Sequence, residues 1–445
     1  MHRLTFLFLC LFPCVTGAQD LTAPLLSGSW SSTYSNVALI GNTGGRFTVG
    51  LPGLSNQLLF ENVSYNELFD RRDRSGRILD LTQLVGLLDE RNEISDYLDL
   101  ETIGLAYRGD RLSVSLTHRL RAGGQIDYPR SLVDVATRGN AQFIGETVDV
   151  TFFGAATSFH ELGLGLSYRS DNDLIFGARV KYLSGIADAR TERSGRLVLN
   201  TDQDNFALTL GQDFTLNSSG ILDYEDLENA SFDLDFNRLT GQDFFNGNSG
   251  FAVDLGFYAD LEGLRLQFAA NDLLANINWS NEVTSLRFLG QDEFTGLDVL
   301  TDVLRDSIDI LGAIDSISLE FEPLETSTPY NGNIGSNLLA GVEVDLSELF
   351  AVGFLLRYDR RYVRDQWAGA VSGRYYPTDW LAVGGNLNFQ RGAGFGIGAH
   401  LYLTPGPVQL LVSTDNLLAV LRGRDSNGTS LRLGAALTFG EVERF

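Results

Sequence analysis

Most of the chain after residue 97 alternates apolar residues with small or polar ones. In the run from Leu162 to Tyr168, leucine and tyrosine alternate with glycine and serine, and the run 429–440 alternates in a similar way. Successive residues of a strand face opposite sides of a sheet, so each run predicts a strand with one apolar face. Many runs reach about 9 to 11 residues, the length of a tilted strand that crosses a bilayer, whereas most strands of soluble sandwiches have about 5 or 6. The pattern therefore predicts an all-β fold, a transmembrane antiparallel β-barrel.

The number of strands follows from the same runs. The runs before residue 97 are too irregular for full membrane strands, and bacterial barrels have an even number, so about fourteen strands are expected, with about sixteen as the alternative. Short turns such as Ser170–Asp173 join long runs, as in the periplasmic turns of such barrels. Tyrosine and tryptophan residues lie near the ends of the runs, which predicts aromatic girdles at both membrane interfaces.

Three stretches break the alternation and show helical spacing instead. They are residues 77–95, 129–138 and 296–317. Each is amphipathic and none is apolar enough to span a membrane. Their polar faces are largely acidic, which disfavours binding to an anionic lipid surface and favours a plug in the lumen or a cap on one mouth. The expected organisation is a signal peptide (1–18), an irregular N-terminal segment (19–96) with the helix 77–95, and the barrel (97–445) with the other two helical insertions.

The first residues predict export. Arg3 precedes an apolar run from Leu4 to Val15, and Thr16 and Ala18 place small residues at positions −3 and −1 of a cleavage site before Gln19. This is the pattern of a cleaved secretory signal peptide. The only cysteines, Cys10 and Cys14, lie inside it. The mature chain would therefore have no thiol chemistry or disulfide, and a barrel of this kind would reside in the cell outer membrane, with outer-membrane lipid around it.

Composition and charge narrow the partners. The chain has 44% hydrophobic and 11% aromatic residues, with 48 glycines against 9 prolines. This composition without long apolar runs fits a closed sheet that presents its lipid-facing residues in alternation. The formal charge of −24 argues against nucleic acid as a partner, because a nucleic-acid-binding surface must neutralise phosphates.

The candidate chemical motifs are weak. The glycines 392–398 alternate along one strand with no helix after them, so they do not predict dinucleotide binding. Asp233, Asp235 and Asn237 resemble the start of a calcium loop, but Arg238 stands where that loop needs glycine, so a solvated loop is favoured. The mature chain has three histidines, far apart in sequence: His118, His160 and His400. Neither a metal site nor a catalytic site is predicted, so the protein is expected to be no enzyme and to need no cofactor.

Polar residues on the non-apolar face of the strands are the candidates for lining the lumen. By strand parity they are Arg169, Arg179, Lys181, Arg265, Asn386, Asn388, Gln390 and His400. Parity predicts the side of the sheet that each one faces but does not distinguish an open passage from a plugged lumen.

Two stretches resemble a known family. Gly50–Ser55 followed by Asn62–Asn66 resembles the opening of an uncharacterised family of Bacteroidetes outer-membrane proteins, a domain of unknown function. Asn248–Gly256 leading to Asn271–Trp279 looks like that family's strand pair ending in D-L-G-x-I-x-W, with Leu274 and Ala275 replacing the glycine step. The resemblance would extend over essentially the whole mature chain. It implies a plan similar to the FadL-like transporters of hydrophobic compounds and to the PorV-type barrels of the Bacteroidetes secretion and gliding machinery. No binding residue carries over.

Two functions remain open from the sequence. The first is an outer-membrane channel or transporter for hydrophobic or small solutes. The alternative is a non-transporting structural or partner-binding barrel of an envelope secretion complex, whose partner would be another envelope protein. An open pore or lateral opening would favour the first, and a plugged lumen with large ordered loops would favour the second.

Overall fold

The computed structural model describes residues 21–64, 67, 69–70, 78–79, 81–204, 207–224, 230–232, 244–294, 323–422 and 426–440. Three features predicted from the sequence therefore lie outside the described residues. They are the signal peptide 1–18, the helix 296–317 and the acidic run at Asp233, Asp235 and Asn237.

The described chain forms a closed barrel of fourteen antiparallel strands, which confirms the predicted fold class and strand number. Two of the strands consist of two segments each. In chain order the strands are β1 (Phe47–Gly50 and Gly53–Phe60), β2 (Arg91–Arg108), β3 (Leu112–Pro129), β4 (Phe153–Arg169), β5 (Leu174–Thr191), β6 (Ser249–Leu261), β7 (Leu264–Trp279), β8 (Tyr330–Asn333 and Ser336–Ser347), β9 (Phe350–Arg360), β10 (Gln366–Thr378), β11 (Leu381–Gln390), β12 (Gly394–Leu403), β13 (Val408–Thr414) and β14 (Gly428–Phe439).

Strand β1 closes the barrel between β2 and β14. Phe47 is paired with Tyr107 of β2 on one side and with Phe439 of β14 on the other. The predicted start of the barrel at residue 97 was therefore wrong. Leu51 and Pro52 divide β1 into two short segments, and proline cannot donate a hydrogen bond to a sheet ladder. Neither segment alone has the length of a membrane strand, so its alternation was too short to recognise.

The two ends of the barrel differ. At one end the strands are joined by short turns, such as Glu262–Gly263, where both residues have positive φ as a two-residue type I′ turn requires. At the opposite end, the long-loop end, connections of up to 57 residues follow β1, β3, β5, β7 and β13. This asymmetry is typical of outer-membrane barrels, whose short turns face the periplasm and whose long loops face outward.

The outer surface of the barrel is apolar. Among its exposed side chains are Leu105, Leu116, Leu164, Val180 and Leu356, contributed by strands whose intervening residues face the lumen. Exposure of this surface to water is unfavourable, because its apolar side chains form one broad patch around the barrel. Single scattered apolar residues, in contrast, are common on soluble proteins. No helix in the described ranges is long and apolar enough to cross a membrane.

The long-loop end carries the described helices α1 (Leu81–Leu87), α2 (Arg130–Arg138) and α3 (Leu417–Arg422). Helix α2 lies where the sequence predicts one. The prediction of a helix over 77–95 was wrong in extent, because Arg91 already begins β2. A turn precedes that strand, in which the Asn92 side chain donates to the Asp89 carbonyl and accepts from the Asp89 amide. Leu84 and Leu88 then pack with Val63, Tyr128 and Val133 above the barrel wall.

A small antiparallel sheet extends the barrel wall at the same end. Its strands are Thr147–Asp149, Arg196–Thr201, Leu208–Ser219, Val283–Phe294 and Leu324–Thr326. Leu216–Ser219 pair with the last residues of β5, Asp188–Thr191, so this sheet continues the barrel wall at the long-loop end.

Candidate functional site

The lumen is filled by the N-terminal segment, residues 21–45, which is called the plug below. It contains three short 3-10 helices, Ala23–Leu25, Trp30–Tyr34 and Val37–Asn42. Almost every residue between Leu21 and Gly45 is buried. The amphipathic helical insertions were predicted as a plug or a cap. In the described part of the chain they do not fill the lumen, because α1 and α2 lie above the barrel wall at the long-loop end, which is the position of a cap. The plug belongs to the irregular N-terminal segment 19–96, and because it has no long periodic pattern, its bounds and its course could not be predicted from the sequence.

Lumen side chains donate hydrogen bonds to the carbonyl groups of the plug. Short 3-10 helices leave many carbonyls without an internal partner, and buried carbonyls need one. Eight described wall residues supply it: Arg108 to Thr43, Arg169 to Gly41, Arg179 to Thr33, Gln267 to Pro24, Asn271 to Ser35, Arg374 to Leu25, Tyr402 to Gly28 and Arg432 to Ser31, at 2.6–3.4 Å. The wall thus binds the backbone of the plug at several points along its length.

The first described residues of the plug bind a cluster of polar side chains near the long-loop end. Asp415 accepts a hydrogen bond from the Leu21 amide at 2.9 Å and one from the Thr22 hydroxyl at 3.0 Å. Asn386 donates to both Thr22 and Asp415, and Asn388 donates to the Asp415 carbonyl. This group fixes the start of the plug.

Beyond the plug, a network of buried charges spans one side of the lumen. Lys181 lies 2.7 Å from Asp272, 2.8 Å from Asp254 and 3.6 Å from Glu161. Arg119 and Arg121 also bind Glu161, at 2.6 and 3.0 Å. Arg179 pairs with Asp254, and Asp99 pairs with both Arg119 and Arg121. The network therefore contains four cations and four carboxylates, whose charges balance.

The loop between β9 and β10, residues 361–365, lies in the mouth at the long-loop end and is called the mouth loop below. Arg364 pairs with Glu61 at 2.6 Å, and Arg361 lies 4.3 Å above the Tyr97 ring. The Gln125 side chain accepts from the Val363 and Arg364 amides and donates to the Arg364 carbonyl. The mouth loop is therefore bound to the opposite wall of the barrel.

The structure shows where each predicted lumen residue lies. Arg179 and Lys181 meet at Asp254, and Asn386 and Asn388 meet at Asp415. Arg265 lies apart from both groups and pairs with Glu343 at 2.7 Å. The remaining three are Arg169, which contacts the plug, Gln390, which is buried, and His400, whose ring lies against Gly384.

Sequence reasoning missed the acidic partners Glu161, Asp254, Asp272 and Asp415. Strand parity could have placed Glu161 and Asp254 on the inward face, but not Asp272, which lies within a bulge and has a positive φ of 57°. Two of the histidines that are far apart in sequence meet in the structure. The His118 and His160 rings stack at 5.2 Å, because β3 and β4 are adjacent and pair Leu120 with His160.

Two observations limit the chemistry of the lumen. A cavity of about 10 Å³, lined by residues that include Leu25, Tyr258 and Arg265, lies between the plug and the wall. This is about the space that one water molecule needs. In the described part of the chain, no group of three or more histidine, cysteine, aspartate or glutamate side chains could hold a metal ion. The arrangement found in the lumen is thus one of closure by hydrogen bonds and ion pairs.

Solved outer-membrane barrels resemble the fold. The Pseudomonas putida toluene transporter TodX is 10% identical, with a TM-score of 0.44 over 95% of this chain and 98% of that one. A Pseudomonas aeruginosa FadL homologue is 11% identical, with a TM-score of 0.39 over 92% and 91%. The translocator domain of NalP from Neisseria meningitidis is 8% identical, with a TM-score of 0.34 over 92% and 94%. Similarities this distant carry no functional assignment.

The sequence comparisons are more direct. No curated protein matches the chain. One family model, described as a family of unknown function (DUF5723), matches residues 41–415.

Proposed function

Because that match extends over most of its length, the chain belongs to the DUF5723 family of unknown function, and we propose that it is an outer-membrane channel for small solutes closed by its own N-terminal plug. The apolar outer surface supports the location, since it is suited to lipid and unsuited to water. The short turns would face the periplasm and the mouth loop would face outward.

One observation carries the proposal: the plug fills the lumen but is not part of the barrel wall. Among the described residues, every backbone–backbone hydrogen bond of residues 21–45 stays within the plug. The hydrogen bonds that join it to described residues of the wall use at least one side chain. Water could replace these bonds one by one, whereas strand pairing is lost only when the sheet opens. The plug can therefore leave the lumen without opening the barrel.

The plug is nevertheless stable in place. Leu21, Leu26, Leu39 and Ile40 are almost fully buried in it, and each side chain of this size contributes about 1.5–3 kcal/mol when removed from water. The closed form is therefore the resting form, and flux through the purified protein should be slow. The solute class from the sequence, hydrophobic or small solutes, belongs to this proposal.

A reversible lock tests the proposal. A Cβ atom at Gly434 of β14 would lie 3.4 Å from the Cβ of Ser31 in the plug, close to the separation in disulfides of about 3.5–4.5 Å. The double variant Ser31→Cys/Gly434→Cys, in a background with Cys10→Ala and Cys14→Ala, should form this bond. In a liposome swelling assay, oxidation should abolish solute entry and reduction should restore it. The two single variants are the controls and should not respond to oxidant.

The alternative is a partner-binding barrel that conducts nothing. The burial of the plug in the lumen and the ordered sheet at the long-loop end favour it. The same assay separates the two functions. If the folded, reduced double variant and the wild type both admit no small solute, the channel is disproved and the partner-binding function gains support. Cell fractionation and N-terminal sequencing of the mature protein would test the outer-membrane location and cleavage after Ala18.

A further inference from the structure

The plug places an aromatic side chain among the arginines of the wall. The Tyr34 ring lies 4.9 Å from the Arg119 guanidinium and 5.8 Å from that of Arg179. Trp30 meets it edge-on, with ring centroids 5.7 Å apart and an interplanar angle of 82°. The wall around the two rings, formed by Gly50, Gly104, Arg119 and Arg179, is called the aromatic niche below.

Residues of the wall itself shape this niche. A Cβ atom at Gly50 or Gly104 would overlap the Trp30 ring, so these glycines leave the space that the ring fills. Arg119 is held by Glu161 at 2.6 Å, and Arg179 by Asp254 at 3.3 Å. Planar guanidinium groups that are already fixed by carboxylates present their faces to an aromatic ring with little loss of entropy. The niche is thus preorganised for a ring.

The niche fits the rings of the plug but not their polar atoms. The Tyr34 hydroxyl and the Trp30 Nε1 are buried, and among the described residues neither has a hydrogen-bond partner. A buried polar group without a partner loses its hydration and gains nothing in return. The plug therefore binds the niche less tightly than an aromatic ring without such groups would.

We propose that the aromatic niche is a binding subsite for neutral aromatic solutes, and that Tyr34 occupies it as a tethered substitute in the closed form. The inference rests on the proposed channel and names a class of solute for it. The solute is neutral because the surrounding cations and carboxylates are already in balance, so a charged solute would add an unpaired charge. A solute ring in the niche displaces Tyr34 and loosens the adjoining plug.

The test measures the release of the plug. Ser32, which lies between Trp30 and Tyr34 in sequence, is fully buried. Ser32→Cys in the Cys10→Ala/Cys14→Ala background therefore gives a thiol whose maleimide labelling reports displacement of the plug. Benzyl alcohol should accelerate labelling about threefold to thirtyfold more than cyclohexylmethanol, which has a similar size but no π face. Equal acceleration by the two alcohols, or none by either, would overturn the inference. The assay reads binding, so it stays informative if the flux assay fails.

Two further variants, each made with Ser32→Cys, test the residues themselves. Arg119→Lys with Arg179→Lys keeps both charges but removes the planar groups, so the preference for benzyl alcohol should fall to about one. A preference that persists in the folded protein contradicts the niche. Tyr34→Phe removes the unpartnered hydroxyl and leaves the charge network intact. Its labelling without solute should be slower than that of Ser32→Cys alone, and faster labelling would count against the inference.

Discussion

At the scale of single residues, the lumen depends on glycines and charges whose roles only their neighbours reveal. Gly104 looks like any small residue on the inward face of a strand, yet it lies directly beneath the Trp30 ring. Lys181, the only lysine in the chain, is enclosed by three carboxylates. Parity predicts that such residues face inward, but not which of them contact the plug and which contact each other.

Replacing Gly104 with valine should displace the plug. The added side chain overlaps Trp30, and overpacking of this kind costs about 1–3 kcal/mol. Labelling of Ser32→Cys should therefore accelerate, while the heat-modifiable gel shift of the barrel persists. Gly373→Val is the matched control, because a Cβ at Gly373 meets no atom within 4 Å. Equal labelling rates in the two variants would contradict the close fit of Trp30.

Replacing Lys181 with methionine should destabilise the barrel itself. The change leaves one carboxylate of the balanced network without a counter-charge, and breaking a buried pair costs about 3–5 kcal/mol. The midpoint of urea unfolding in lipid vesicles would measure the loss. The control is Arg46→Met. Arg46 pairs with the exposed Asp110, and loss of this surface ion pair should lower the free energy of unfolding by less than about 1 kcal/mol. Similar losses in both variants would show that the network contributes little.

At the scale of elements, the plug and the mouth loop close the lumen in different ways. The plug is bound mainly through hydrogen bonds to its backbone, whereas the mouth loop is bound through ion pairs and through Gln125. Glu61 adds a dependence on pH. Burial raises the pKa of this carboxyl, with repulsion from Glu93 and Asp89 in the same direction, and the attraction of Arg364 and Arg391 offsets only part of the shift.

The sign of this shift predicts how acid affects the mouth. A carboxyl whose pKa is raised in the closed form favours that form when protonated. Its contribution is therefore present at low pH and is lost as the pH rises through the raised pKa. Hydrogen exchange of the amides in the mouth loop should slow, after correction for intrinsic rates, between pH 7 and pH 5. Glu61→Gln should remove this dependence. The same slope in both proteins would exclude Glu61 as its source.

At the scale of the whole molecule, the apolar outer surface decides the environment of the barrel. Leu164 and Leu112 are similarly exposed, at 59% and 55%. Leu164 lies five residues from the end of β4 at the short-turn end, whereas Leu112 is the first residue of β3 at that same end. The two residues thus differ mainly in their depth within the proposed bilayer.

A pair of arginine substitutions tests that depth. Leu164→Arg should cost about 2–4 kcal/mol, as expected near the bilayer midplane, and Leu112→Arg about 0–1 kcal/mol, as expected near the interface. Unfolding in lipid vesicles gives both values. A barrel that resided in water would tolerate the two changes alike, so equal small costs would disprove the membrane location.

The sequence by itself determined the fold class, the strand number and the side that most strand residues face. These properties are local, because a period of two is visible within a single run of residues. Prediction from the sequence failed where the run was interrupted, as at Leu51 and Pro52 in β1, and where a bulge shifted the parity, as at Asp272.

Only the tertiary structure decided what the lumen contains. The plug has no periodic pattern, and it is recognised through contacts such as that between Leu21 and Asp415, 394 residues apart. The meeting of His118 with His160 and the enclosure of Lys181 by Asp254 and Asp272 likewise depend on which strands become neighbours. A local pattern gives the face of a strand, but closure of the barrel gives each side chain its partner.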